Sequence, residues 1–263
     1  MRFVDIHCHL IPDLDDGSCS LFETIEMLRM AHDRGTRAIV ATPHTFLPPF
    51  INDDPLRVHD AFAAMIRRLK RLGGNSGHGF LQEIALYLGA ENCVSPEFLR
   101  ALKQRAIFTL NGGKYILLEF PPYLAFETAE IAVARVLESG LSPVLAHVER
   151  YDFFERYPER LALLREQGCV TQINASSVVC ANGNGKRISK GKARAKTKYP
   201  LSLVEQGLVD IIASDSHDVH DRPPDMEAAY RVLVKRFPEN AVGNWMWENP
   251  ARILANRDLV PWI

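Results

Sequence analysis

Residues 4–35 read VDIHCHLIPDLDDGSCSLFETIEMLRMAHDRG, and the two halves of this stretch have different periods. In the first, Val4, Ile6, Cys8 and Leu10 alternate with Asp5, His7 and His9, which is the period of a strand. In the second, Leu21, Ile25, Leu28 and Ala31 lie along one side of a helix, with Ser20 and Glu23 placed as a capping box and Gly35 as a stop. A strand that passes through an aspartate-rich loop into a helix is the opening of a parallel crossover unit.

The pattern repeats outward. Strand-like runs at 2–6, 37–41, 84–90, 115–119, 143–147, 170–174 and 209–214 alternate with helical patterns near 55–72, 95–105, 127–139, 158–167, 200–206 and 224–236. Strands alternating with helices pair in parallel through right-handed crossovers, and seven such units predict an α/β fold with a closed or nearly closed barrel. An open doubly wound sheet is the alternative. At 263 residues and 47% hydrophobic content the chain can bury one sizeable core, and residues 1–263 read as a single domain.

Composition narrows the function. Basic and acidic residues nearly cancel, 31 against 32, so no global field points to nucleic acid or a polyanion. No apolar run approaches the roughly 18 residues of a spanning helix, which argues against membrane insertion, and the chain reads as cytoplasmic. Five cysteines (Cys8, Cys19, Cys93, Cys169, Cys180) include no C-x-x-C pair, against both a disulfide framework and a thiolate metal site. None has an arginine six residues on, so the thiol-based phosphatase loop is absent, as are H-E-x-x-H, G-x-S-x-G and the P-loop.

In a parallel barrel the chemistry gathers at the carboxyl ends of the strands. The first strand delivers His7 and His9, the second His44, the third Glu91, the fourth Glu119, the fifth His147 and Arg150, and the seventh Asp215 and His217; the sixth offers Asn174 and serines. An H-x-H pair alone also fits a strand with a solvated polar face. Six strand ends with an imidazole or carboxylate do not, because such groups are costly after an apolar run unless paired or bound to metal. With Asp16 from the first loop there are nine candidate metal ligands, too many for one ion and suited to two or three. Mixed imidazole and carboxylate donors without thiolates favour Mn²⁺, Fe or Zn²⁺ over Ca²⁺ or Mg²⁺.

The segments DIHCHLIPDLDDGS, IVATPH, GAEN, LLEF, LAHVERY, QINASS and ASDSHD…RPP resemble, in order and spacing, the PHP-family bacterial protein-tyrosine phosphatases of capsule and exopolysaccharide synthesis. The resemblance covers roughly residues 2–255. It implies a distorted (β/α)7 barrel of the PHP type carrying a three-metal site, usually manganese. His7, His9, Asp16, His44, Glu91, Glu119, His147, Asp215 and His217 fall on its metal positions, and Arg150 and Arg222 on its substrate-phosphate arginines. The implied partner is a phosphotyrosine protein, such as the tail of a bacterial tyrosine kinase. The loop after TPH departs from many relatives, reading TFLPPF, so the mouth of the site is expected to be more apolar here.

The expected reaction is hydrolysis of a phosphate monoester by a metal-bound hydroxide, with Arg150 and Arg222 on the non-bridging oxygens and Asp16, His44 or His217 available as proton donor. Two other functions fit the same residues: a small-molecule phosphatase acting on a substrate such as histidinol phosphate, and a non-catalytic metal-dependent regulatory module. Seven basic residues between Lys186 and Lys198 form either a docking patch or a solvated loop. FLPPFI, residues 46–51, is either a lid or peptide-contacting rim or an ordinary loop packed on a helix, and Trp245 and Trp247 are expected to pack the last helix on the barrel. His32, His59, His78 and His220 match no strand end and are expected on the surface or in the core.

Overall fold

The computed structural model describes residues 2–50, 52–74, 77–183 and 198–260. Its strands are β1 (Phe3–Cys8), β2 (Thr36–Ala41), β3 (His44–Thr45), β4 (Ala85–Leu88), β5 (Glu91–Cys93), β6 (Tyr115–Glu119), β7 (Ser142–Leu145), β8 (Val170–Asn174) and β9 (Ile211–Ala213). Every paired strand is parallel, in the orders β1-β2-β4 and β3-β5-β6-β7-β8-β9. The two runs are one ring. Past β9, Asp215 N donates to His7 O at 2.9 Å and His9 N to Ser216 O at 2.8 Å, which joins the last strand to the first. The seven-unit barrel expected from the sequence is therefore the fold, and the open doubly wound sheet is not.

Two strands are broken where one continuous run was expected. β2 and β3 flank Thr42 and Pro43, and β4 and β5 flank Gly89 and Ala90, so the second and third barrel strands each change partners midway. Proline cannot donate to a ladder, which interrupts the second strand at Pro43. At Gly89 a Cβ would stand 2.9 Å from Leu110 Cδ2 and 3.0 Å from Val40 Cγ1, so only glycine lets the third strand kink across its neighbours.

The helices are α1 (Leu21–Asp33), α2 (Pro55–Gly73), α3 (Pro96–Gln104), α4 (Phe126–Glu138), α5 (Asp152–Arg156), α6 (Pro158–Glu166), α7 (Ala175–Ala181), α8 (Tyr199–Glu205), α9 (Met226–Leu233), α10 (Glu239–Gly243) and α11 (Asn249–Leu254). Local chemistry starts several of them. Ser20 accepts from Glu23 N at 3.2 Å while Glu23 accepts from Cys19 N at 2.8 Å; Asp54 and Ser95 cap α2 and α3, each ahead of a proline in the first turn. Not anticipated was α7, whose ASSVVCA is poor in helix formers. It is held instead by burial of Ala175 and Val178 and by Glu149, which accepts from Asn174 N and from the Ser177 hydroxyl.

Inside the ring, Ile6, Val40, Leu117, Val144, Ile211 and Ala213 fill the barrel below the site. Outside it, α1 and α2 pack Met27, Leu28 and Met65 on one flank, and α4, α6 and α9 pack Val133, Leu161 and Leu233 on the other. Each large apolar side chain buried this way is worth about 1.5–3 kcal/mol. Trp245 is fully buried in a π-helical turn, edge-on to Phe237 at 5.4 Å, as its expected packing role requires; Trp247 is only part-buried. All five cysteines are free, and Cys8, Cys93 and Cys169 are buried. The basic run from Lys186, apart from Lys198, lies outside the described residues. Among the described residues no helix is long and apolar enough to cross a membrane.

Candidate metal centre

The first loop is tied down by its own backbone. Ser18 N donates to His9 O at 3.1 Å and Asp13 N to Ser18 O at 3.0 Å, which folds residues 10–17 back over β1. Gly17 is obligatory in this turn, because a Cβ there would stand 2.3 Å from His9 O. The β1 ladder slips in register between Asp5 and Cys8. Simple alternation would have set Ile6 and His7 on opposite faces of a regular strand; here Ile6 fills the interior while His7 and His9 share the mouth, their Nε2 atoms 3.3 Å apart. Cys8 turns into the α1 and α2 core, with its thiol 2.8 Å from the Ser216 hydroxyl.

The broken strands place the next ligands. His44 opens β3 in register with Glu91, which opens β5, and Cys93 is in turn paired with Glu119 at the end of β6. His44 Nδ1 lies 3.0 Å from Glu91 Oε2 and 3.5 Å from Glu119 Oε2. His147 and Asp215 both adopt left-handed backbone conformations, φ 34° and 53°, just past β7 and β9. Such angles are unfavourable for residues with a Cβ and persist where the surroundings impose them. They aim His147 Nε2 at Glu91 Oε1, 2.8 Å away, and Asp215 Oδ1 at His7 Nε2, 3.3 Å away.

All nine carboxylates and imidazoles singled out from the sequence therefore meet at one mouth of the barrel. Three overlapping groups hold ligand atoms within 4.8 Å of one another: His9, Asp16, His44 and His217; His7, His9, Glu91 and Asp215; and His44, Glu91 and Glu119. His147 stands beside the last group, 3.8 Å from Glu119 Oε1. His9, His44 and Glu91 each belong to two of these groups, so the groups share donors.

The donors fit divalent cations. Among the described residues His44 Nδ1, Glu119 Oε2, Asp215 Oδ1 and His217 Nε2 are buried without a hydrogen-bond partner, and all four belong to these groups. Buried polar atoms left unpaired cost free energy, and four together on one concave face are what cation ligands look like without a cation. Titration behaviour agrees. Burial, reinforced by Glu91 and Asp215, pushes Glu119 up to about 9. Burial works against ionising Asp215 too, yet Arg150 and Arg222 hold it well below the usual range. Burial with adjacent positive charge drives His147 and His217 down to about 4, the charge coming chiefly from Arg150 and His9 respectively. A neutral imidazole is the ligating form.

A second layer fixes the ligands. Asp15 Oδ2 lies 2.7 Å from His9 Nδ1 and accepts from His44 N at 2.9 Å, while Asp15 Oδ1 accepts from Gly17 N at 3.0 Å. Gln172 Oε1 is 3.2 Å from His7 Nδ1 and accepts from His147 N at 3.0 Å; its amide donates to Asn174, whose own amide donates to Asp215 at 2.7 Å. The Tyr151 hydroxyl sits 3.3 Å from His147 Nδ1 and accepts from Phe120 N at 2.9 Å. Sequence reading missed Asp15, Gln172 and Tyr151. The one available signal was Gln172 and Asn174, two amides two residues apart in an otherwise buried strand, hence on one face.

Both arginines reach the same place. Arg150 forms an ion pair with Asp215 Oδ2 at 2.7 Å, Arg222 donates to the same oxygen at 2.8 Å, and both are part-exposed at the rim. Asp16 is half exposed, 3.4 Å from both His44 and His217. A family model described as capsular polysaccharide synthesis, CpsB/CapC, matches residues 3–255. The chain belongs to the CpsB/CapC family. It is similar to the tyrosine-protein phosphatase YwqE of Bacillus subtilis, 32% identical over 258 residues covering 97% of this chain and 93% of that protein. The tyrosine-protein phosphatase CpsB of Streptococcus pneumoniae is 29% identical over 254 residues, covering 97% and 99%. A solved structure from work on YwqE and CpsB, described as unique metal-dependent tyrosine phosphatases, superposes with a TM-score of 0.84 at 31% identity, covering 100% of this chain and 97% of that one. A phosphotriesterase homology protein of Escherichia coli, at 12% identity and a TM-score of 0.59, shares the fold. The CpsB/CapC chain thus carries its concentration of buried ligands on a barrel common to several enzymes.

Proposed function

We propose that this chain is a metal-dependent protein-tyrosine phosphatase, in which residues 1–263 form one PHP-type catalytic domain. It acts in the cytoplasm on a phosphotyrosine protein, the tail of a bacterial tyrosine kinase of capsule or exopolysaccharide synthesis. The observation that carries the reading is the meeting of nine carboxylates and imidazoles, most of them buried, with two arginines at one barrel mouth. His7, His9, Asp16, His44, Glu91, Glu119, His147, Asp215 and His217 hold two to three Mn²⁺ ions, with Fe or Zn²⁺ able to take the same donors. When bound, the ions supply Lewis acidity and hydroxide at neutral pH.

The chain's own groups do the rest. Arg150 and Arg222 hold the non-bridging phosphate oxygens by charge-assisted forks, which orient the ester and stabilise the charge of the transferring group. Their present acceptor, Asp215 Oδ2, keeps both guanidinium groups aimed at the mouth. Asp16 and His44, 3.4 Å apart, are the candidates to deliver a proton to the leaving oxygen. A phenolate needs that proton less than an alkoxide does, since its conjugate acid has a pKa of about 10.

The test is hydrolysis of a phosphotyrosine peptide beside histidinol phosphate, with and without chelator. Chelator-sensitive cleavage favouring the peptide is expected. Preference for histidinol phosphate would replace the protein substrate with a small metabolite, and cleavage unaffected by chelator would overturn the metal dependence.

A further inference from the structure

Residues 46–50 of the FLPPFI stretch, which the sequence left between a lid or peptide-contacting rim and an ordinary packed loop, set an aromatic ring against the candidate site. Phe50 lays its ring on His44, with centroids 5.6 Å apart and planes only 5° apart. At that separation near-parallel rings are offset, so the two rings overlap only in part. Phe50 is part-buried, consistent with a ring anchored on one side and open on the other.

Hydrogen bonds tie the stretch to its surroundings. Phe46 takes a left-handed conformation, φ 59°, and its N–H donates to Asp53 Oδ1 at 2.8 Å, closing the segment on itself. Phe50 N donates to Leu47 O at 2.9 Å. Asn52, fully buried, donates to His44 O at 3.1 Å and to Leu14 O at 2.8 Å, which bolts the loop to a candidate ligand and to the loop carrying Asp15 and Asp16. The other part-exposed groups that reach the centre are charged: Asp16, Arg150 and Arg222. A phosphate ester held by the two arginines points its organic group outward past this rim, and Phe50, stacked on His44, offers an aromatic ring beside the site.

We propose that Phe50 is the specificity-determining residue for the leaving group, a preset aromatic wall on which the phenyl ring of an aryl phosphate stacks and which an alkyl phosphate leaves unused. The inference rests on the phosphatase reading above and adds the group that selects tyrosine over serine or threonine. Because the loop is fixed beforehand, stacking costs little ordering entropy.

The experiment compares the metal-loaded protein with Phe50→Ala and Phe50→Tyr by calorimetric binding of phenylphosphonate and methylphosphonate, beside KM for phosphotyrosine and phosphoserine peptides and metal content by mass spectrometry. Phe50→Ala is expected to weaken phenylphosphonate roughly three- to tenfold relative to methylphosphonate. KM for the phosphotyrosine peptide should rise while metal content stays constant, and Phe50→Tyr should restore most of the preference. Equal weakening of both phosphonates, or loss of metal in Phe50→Ala, would overturn the proposal and make Phe50 a packing group for His44. A wild-type protein that binds phenylphosphonate no better than methylphosphonate would overturn it as well. Failure of the wild type to cleave any phosphomonoester would instead sink the phosphatase reading beneath it.

Discussion

Asp15 Oδ2 stands 2.7 Å from His9 Nδ1, which leaves the opposite ring nitrogen of His9 facing Glu91 and Asp215. A carboxylate on the far side of an imidazole fixes its tautomer and orientation and raises its basicity as a ligand. Asp15→Ala and Asp15→Asn should therefore lower metal affinity by about 10–100-fold while the far-ultraviolet circular dichroism stays that of the native protein. Unchanged affinity in both would show that His9 orients itself.

Arg222 offers a cleaner cut than Arg150. His217 N donates to the Arg222 backbone carbonyl at 2.9 Å, a bond that a side-chain truncation leaves in place. Arg222→Ala should keep its metal and raise KM for phosphotyrosine peptide about tenfold or more, the worth of a lost hydrogen bond to a charged group. Unaltered kinetics would remove Arg222 from the phosphate site.

Gln172 serves two ligands at once. Replacing it with leucine leaves His147 N and Asn174 Oδ1 buried without their partner, at a cost of about 1–3 kcal/mol for each unsatisfied group. Melting of the chelator-treated Gln172→Leu protein, compared with treated wild type, isolates this from metal loss. A fall of several degrees is expected, and equal melting temperatures would refute the bond network.

Protons and metal compete for the same atoms. Burial alone would favour neutral imidazoles, but Glu91 and Asp215 raise His7, and Asp15 holds His9 well above its ordinary value. Glu119, pushed up to about 9, is a protonated acid at neutral pH. Loading a cation must expel these protons, so affinity rises with pH and is lost on acidification. Titrating Mn²⁺ in two buffers of different ionisation enthalpy at pH 7 should show net proton release. Identical heats would mean the ligands are already deprotonated.

The barrel was legible because seven apolar runs and their helical spacers follow two distinct periods. The clustering of the candidate ligands was legible because carboxylates and imidazoles that end such runs are costly to bury unless paired or bound to a cation, and because their order resembles a known family. What stayed hidden depends on geometry that no period encodes. Asp15 and Asp16 are neighbours of one type, yet the turn through Asp13 and Gly17 sends one behind His9 and the other to the rim. The break at Gly89 comes from close approach to Leu110 and Val40, residues far away in sequence, whereas the break at Pro43 follows from the missing proline donor. The FLPPFI stretch fits a lid or peptide-contacting rim as well as a packed loop, because no period encodes the stack of Phe50 on His44.

The central claim is that the ligands at the barrel mouth hold divalent ions, and counting transition metals per chain in the purified protein by mass spectrometry, beside His7→Ala and Asp215→Ala, tests it most directly. Two to three ions per wild-type chain, reduced in both variants together with phosphotyrosine hydrolysis, is the predicted result. A wild-type chain that retains no metal and still cleaves the ester, or variants with full metal and full activity, would contradict it.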